Sequence, residues 1–109
     1  MKKITASELN KRIENNEEIF ILDVRAEEKY KNEHINEKHI HSVNIEKTRI
    51  FDNEDKESIS RLPKNKEIIV TCTTGNSARK CAEILGEKEY NVTLLEGGMT
   101  AWKEYKSTK

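Results

Sequence analysis

Apolar residues in this chain fall into short runs separated by charged stretches. The runs Ile4-Thr5, Ile19-Phe20-Ile21-Leu22-Asp23-Val24, Ile68-Ile69-Val70-Thr71 and Val92-Thr93-Leu94-Leu95 predict β-strands. The two middle runs are almost continuous in apolar residues, the pattern of parallel strands covered on both faces; a strand with one wet face alternates instead. Val43-Asn44-Ile45 is a weaker fifth run.

Helical signals lie between these runs. Thr5-Ala6-Ser7-Glu8 is a capping-box pattern ahead of Leu9 and Ile13 at helical spacing. Glu27 to Lys31 suggests a short helical turn. Asn53 to Leu62 suggests another helix, with Ile59 and Leu62 three apart and Pro63 stopping it, because proline cannot continue the hydrogen-bond ladder. The clearest helix begins near Ala78, where Ala78, Cys81, Ala82 and Leu85 share a face and Gly86 lies near the end. A last helix is expected from about Met99 to Tyr105. Strands alternating with helices predict an α/β fold, a central parallel sheet with helices on both faces. No repeat, linker or low-complexity stretch intervenes, so residues 1–109 read as a single domain, long enough for a core without metal or disulfide staples.

Composition narrows the partners. Lysine plus arginine and aspartate plus glutamate each number 20, so nothing points to nucleic acid or an anionic membrane as a bulk partner, and any attraction for an anion is local. No run approaches the roughly 18 apolar residues of a membrane span, and Met1-Lys2-Lys3 leads into a polar stretch; a cytoplasmic location is expected. The two cysteines, Cys72 and Cys81, exclude a disulfide framework and leave a thiol role open.

In Ile68 to Arg79 a buried strand ends at Cys72, a polar loop with Gly75 follows, and a helix begins. Ligands of an open parallel sheet bind beyond the carboxyl ends of its strands, where the next helix aims its unpaired N–H groups and positive dipole end. Thiolate is the nucleophilic form of cysteine, and helix N-termini and nests of loop amides favour it. Cys72 is therefore a candidate catalytic nucleophile. The amides of Thr73, Thr74, Gly75, Asn76 and Ser77, curled round one point with the freedom of Gly75, are candidate substrate-binding donors, and the hydroxyls of Thr73, Thr74 and Ser77 add to them. By spacing alone, Cys72 is read equally well as a small buried residue at a strand end.

Three stretches together resemble the rhodanese-like domain family, over about Ile4 to Tyr105. Leu22-Asp23-Val24-Arg25 with Glu28, Tyr30 and His34-Ile35 resembles its first signature. Ile69-Val70-Thr71-Cys72 with Gly75-Asn76-Ser77 is similar to its active-site loop. Leu95-Glu96-Gly97-Gly98-Met99-Thr100-Ala101-Trp102 resembles its closing signature. The resemblance implies a sulfurtransferase: a persulfide on Cys72, loop amides that hold the sulfur, no cofactor, a small sulfur donor such as thiosulfate or a persulfide, and a thiol or cyanide acceptor. A sulfur-relay protein is a further partner class. It casts Asp23 and Arg25 as structural, orienting the segment that reaches His34. Related phosphatases place an arginine where this chain has Ala78; Arg79 comes one residue late, a turn of roughly 100° on a helix, which aims it away from the cradle.

The chain departs from the family pattern where members often carry arginine, having Thr73 directly after the cysteine and Ser77 further on. Without a guanidinium fork, amides, hydroxyls, the helix dipole and Arg79 or Lys80 remain to attract a dianion, so a persulfide competes with thiosulfate as donor. Asn36 to His41 is longer than the usual connection, and Glu46 replaces a common proline. Two other readings stand beside the sulfurtransferase: a non-catalytic binding module, motivated by the missing arginines, and a cysteine-dependent phosphatase or arsenate reductase, motivated by the strand-cysteine-loop-helix plan.

Cys81, on the apolar face of its helix, reads as core and not as a resolving thiol, since a disulfide needs Cα atoms within about 7 Å. His39-x-His41 lacks a third ligand at zinc spacing, so no metal is expected. Trp102 and Tyr105 read as core, and Asp52 to Glu57 as a solvated helix start.

Overall fold

Side chains alternate along a strand, and in this chain both sets are apolar. In the computed structural model, which describes residues 1–52 and 55–108, Ile19 and Ile21 of β2 (Ile19–Asp23) enter one core with Ile69 of β4 (Glu67–Thr71), whereas Leu22, Val24, Ile68 and Val70 enter a second on the opposite face. Such strands are covered on both sides, as their uninterrupted apolar runs require. With β1 (Lys2–Ile4), β3 (Ile40–Asn44) and β5 (Asn91–Leu95) they form one parallel sheet, ordered β1-β5-β4-β2-β3.

Helices α1 (Ala6–Glu14) and α6 (Gly98–Ser107) supply Leu9, Met99 and Trp102 to the first core. Helices α3 (Lys47–Phe51), α4 (Lys56–Ser60) and α5 (Asn76–Glu87) supply Ile50, Ile59, Cys81 and Leu85 to the second. Each fully buried large aliphatic side chain contributes about 1.5–3 kcal/mol. The remaining helix, α2 (Glu27–Asn32), buries no residue.

The capping box of Thr5 and Glu8 is formed, each side chain accepting from the other's main-chain N–H; it ends β1 at Ile4, one residue before the apolar run does. Asp55 caps α4 through the Ser58 N–H. Residues 53 and 54, where that helix is expected to begin, lie outside the described residues, and it closes at Ser60, before Pro63. Two elements depart from expectation. The strand expected at Val43 to Ile45 begins three residues earlier, because β3 is an edge strand whose half-exposed or exposed His41, Ser42 and Asn44 dilute the apolar signal. Helix α3 is absent from the sequence pattern: five residues with one buried side chain, Ile50, carry no legible period. His39, at the end of the long segment after α2, adopts a left-handed φ of +68°. Among the described residues no helix is long and apolar enough to cross a membrane.

Candidate active site

β4 delivers Cys72 to the carboxyl end of the sheet, in phase with Ile68 and Val70 and thus facing α5. Gly75 then takes φ +102°, ψ −16°, a left-handed conformation that strains any residue with a Cβ, and α5 starts at the next position. This turn brings the N–H groups of Gly75 (3.0 Å) and Ala78 (3.3 Å) onto Cys72 Sγ. Converging main-chain donors of this kind form an anion-holding nest. Cys72 itself is only 5 % exposed, so a reagent reaches the sulfur through the cavity it lines.

The loop's carbonyls turn the other way. Met99 N–H donates to Cys72 O at 2.8 Å and Thr100 N–H to Thr73 O at 2.9 Å. A Cβ on Gly98 would lie 2.4 Å from the Cys72 carbonyl oxygen, so only glycine lets α6 dock backbone against backbone here.

β2 and β4 are neighbours, yet β2 continues outward to β3 and β4 outward to β5, in opposite directions across the sheet. Ligands bind at such a switch point. A cavity of ≈ 390 Å³ opens there, walled by the segments that follow β2, β3 and β4. These segments are tied together: Asn44 Nδ2 donates to the carbonyls of Asp23 and Arg25, both at 2.9 Å, Lys47 N–H to Val24 O at 3.0 Å, and Val24 N–H to Thr71 O at 2.9 Å. Arg25 is buried against Asp23, with Nε donating at 3.0 Å and Nη2 at 2.7 Å, and the same Nη2 reaches Glu33 O at 2.7 Å, one residue before His34. Its Nε and Nη2 are engaged in this way.

Of the residues singled out in the sequence, Thr73, Thr74 and Ser77 line the cavity with Cys72. Gly75 contributes its amide, while Asn76 lines a smaller cavity on the other side of the loop, together with Arg79. The second amide on the sulfur comes from Ala78, one residue beyond the expected set. Neither cationic residue named as a helper lines this cavity, and for Arg79 the one-residue offset on the helix implies as much. Arg79 faces that other side, and Lys80 Nζ sits 5.7 Å from the centre of the Phe51 ring. The cavity is instead lined by Lys29 of α2 and by Lys47 of α3, whose Nζ lies 3.4 Å from Ser77 Oγ. Glu46 lines it too, with its Oε2 accepting the Glu27 N–H at 3.0 Å. A topological signal for Lys47 existed: a residue directly after a parallel strand beside β2 arrives at the same sheet end as Cys72.

Cys81 is fully buried among Ala78, Ala82 and Leu85. Burial pushes its thiol up to about 12, the Cys72 sulfur adds to the rise, and the Lys47 ammonium opposes it. Both cysteines are free. The histidines have local partners: His34 stacks on Tyr30, His41 on Phe20, and His39 faces Glu18. Among the described residues no three potential metal ligands gather.

The family model for the rhodanese-like domain matches residues 5–105. The chain belongs to the rhodanese-like domain family. A Bacillus subtilis relative named "Putative sulfurtransferase YtwF" is 29 % identical over 104 residues, covering 94 % of this chain and 91 % of the relative. The rhodanese-like domain protein from Staphylococcus aureus superposes with a TM-score of 0.76 at 28 % identity, covering 94 % of this chain and 91 % of that one. A rhodanese-related protein from Thermoplasma volcanium gives 0.78 at 26 % identity, over 96 % and 93 %. The five-stranded parallel sheet flanked by helices is thus that of rhodanese-like domains, and the Cys72 loop occupies the carboxyl end of its fourth strand.

Proposed function

We propose that the protein is a sulfurtransferase that carries sulfane sulfur as a persulfide on Cys72. The reading rests on one observation: two main-chain N–H groups converge on Cys72 Sγ where it meets an open cavity. In the first half-reaction the Cys72 thiolate attacks the outer sulfur of the donor. An S–S bond forms to Cys72 and the donor's S–S bond breaks, its electron pair leaving on sulfite when the donor is thiosulfate, or on a thiolate when it is a persulfide. In the second, a thiol acceptor as thiolate, or cyanide, attacks the outer sulfur and the Cys72 thiolate departs. No external oxidant or reductant is consumed.

The residues divide the work. Gly75 and Ala78 amides point at the sulfur that attacks the donor, and Thr73, Thr74 and Ser77 line the cavity in which the donor would sit. Arg79, turned to the other side of the loop, offers no guanidinium for phosphate-ester chemistry. A cytoplasmic, reducing setting suits a site built on free thiols. The name of the Bacillus subtilis relative points the same way.

The test is the intact mass of the protein after incubation with thiosulfate or a small-molecule persulfide and removal of excess donor. One added sulfur atom is expected, and none in Cys72→Ser. Equal loading of the serine variant would remove Cys72 from the role; no loading of the wild type by either donor would favour a non-catalytic binding module.

A further inference from the structure

Three cationic side chains, Arg25, Lys29 and Lys47, line the cavity beside Cys72 with one carboxylate, Glu46. They are not equivalent. Arg25 has its charge balanced by Asp23 and its Nη2 also on the Glu33 carbonyl, and Glu46 accepts the Glu27 N–H through Oε2. The ammonium groups of Lys29 and Lys47 have no carboxylate partner among the described residues. Lys47 is the lysine tied to the cysteine loop: its Nζ lies 3.4 Å from the hydroxyl of Ser77, the residue preceding the Ala78 amide that contacts the sulfur.

Building on the sulfurtransferase reading, we infer that Lys47 is the donor-binding residue of this site, holding the negative group of an organic persulfide that carries a carboxylate. Two observations select that donor class. A lysine is a point charge that takes a single carboxylate oxygen without demanding a planar fork, and the charge of the forked cation present is already paired with Asp23. The cavity, at ≈ 390 Å³, falls within the roughly 300–1,000 Å³ typical of sites for organic ligands, ample for a persulfide with a short tail. Lys47 stands on α3 and not on the cysteine loop, so recognition of the donor is separated from the cradle that holds the sulfur. Lys29, on the facing α2 segment, reinforces the same field.

Alkylation of Cys72 reads this charge without any sulfur transfer. Iodoacetate is an anion of nearly the same size as neutral iodoacetamide, and the ratio of their rates on the native protein reports the local field. Lys47→Gln is expected to lower that ratio roughly three- to tenfold, Lys47→Glu to lower it further, and Lys47→Arg to keep it, both rates being taken on the same variant so that any change in thiolate fraction cancels. In turnover, Lys47→Gln is expected to raise KM for the persulfide of mercaptoacetate by a larger factor than KM for the persulfide of its amide. An unchanged alkylation ratio, or equal losses on the charged and neutral donors, would overturn the assignment. A ratio that falls as expected in a protein that loads no sulfur from any donor would keep the anion anchor and refute the sulfurtransferase reading alone.

Discussion

The main-chain N–H of Met99 donates to the carbonyl oxygen of Cys72 at 2.8 Å. With the Thr100 N–H on Thr73 O, it turns the loop's carbonyls toward α6 and leaves amides facing the sulfur. The cradle is therefore made jointly by two helices that are remote in sequence, one supplying donors to Sγ and one holding the acceptors out of the way.

Gly98→Ala is expected to be among the most damaging small substitutions. Its Cβ would lie 2.4 Å from Cys72 O and 2.9 Å from Thr73 O, at a φ of +57°, so α6 must move off the loop at a cost of about 2 kcal/mol or more. Gly86→Ala is the contrasting control: its Cβ meets only Val92 Cγ2 at 3.7 Å at an exposed position inside α5, and a gain of about 0.5–1 kcal/mol is expected. Urea denaturation of both variants checks the pair, with Cys72 alkylation accelerated only in the first.

Removing one partner of the buried Asp23–Arg25 pair strands the other. Arg25→Leu is expected to lose about 3–5 kcal/mol, since the Asp23 carboxylate, 1 % exposed, then has no cation beside it. Asp23→Asn combined with Arg25→Leu is expected to lose clearly less than the two single losses added together, which a double-mutant cycle in denaturant measures.

Cys81 makes stability fall at alkaline pH. Its thiol ionises near 9.0 when unfolded and at about 12 when folded, chiefly because of burial. A group raised in this way contributes fully below pH 9, and that contribution is lost as pH climbs from 9 toward 12, with a slope of at most about 1.4 kcal/mol per pH unit. Cys81→Ala is expected to flatten this decline relative to wild type in denaturation series on either side of pH 9. In the native wild type, iodoacetamide at neutral pH is expected to label Cys72 and spare Cys81, as peptide mapping would show.

Glu67 acts at the acid end. Burial tends to raise its carboxyl, but hydrogen bonds from the Thr93 hydroxyl and Arg12 and the nearby charges of Arg12 and Lys2 outweigh it and hold the group below 4.5. Stability from a depressed carboxyl is present above the unfolded value and is lost as pH falls through the folded one. Glu67→Gln is expected to be less stable than wild type at neutral pH and to converge with it as pH falls below 4.5 and the wild-type carboxyl is protonated, as thermal unfolding across that range would register.

The central strands and the cysteine loop were legible in the sequence because their signals are local: unbroken apolar runs for β2 and β4, and a strand-cysteine-glycine-helix order for the site. What escaped is what depends on distant partners. β3 carries polar residues because it lies at the sheet's edge, and α3 is too short to show a period. Gly97 and Gly98 stood out only as part of the closing signature, and nothing local revealed that the segment packs on Cys72 and Thr73, some 25 residues earlier. Lys47 escaped for the same reason: strand order brings it to the cavity, and charge pattern does not.

Because the donors on the sulfur are both peptide N–H groups, the side chains at positions 73, 74 and 76 can be exchanged without redrawing its nest. Reactivity is written into the main chain, selectivity into the cavity walls, and a designer can rewrite the second while leaving the first intact.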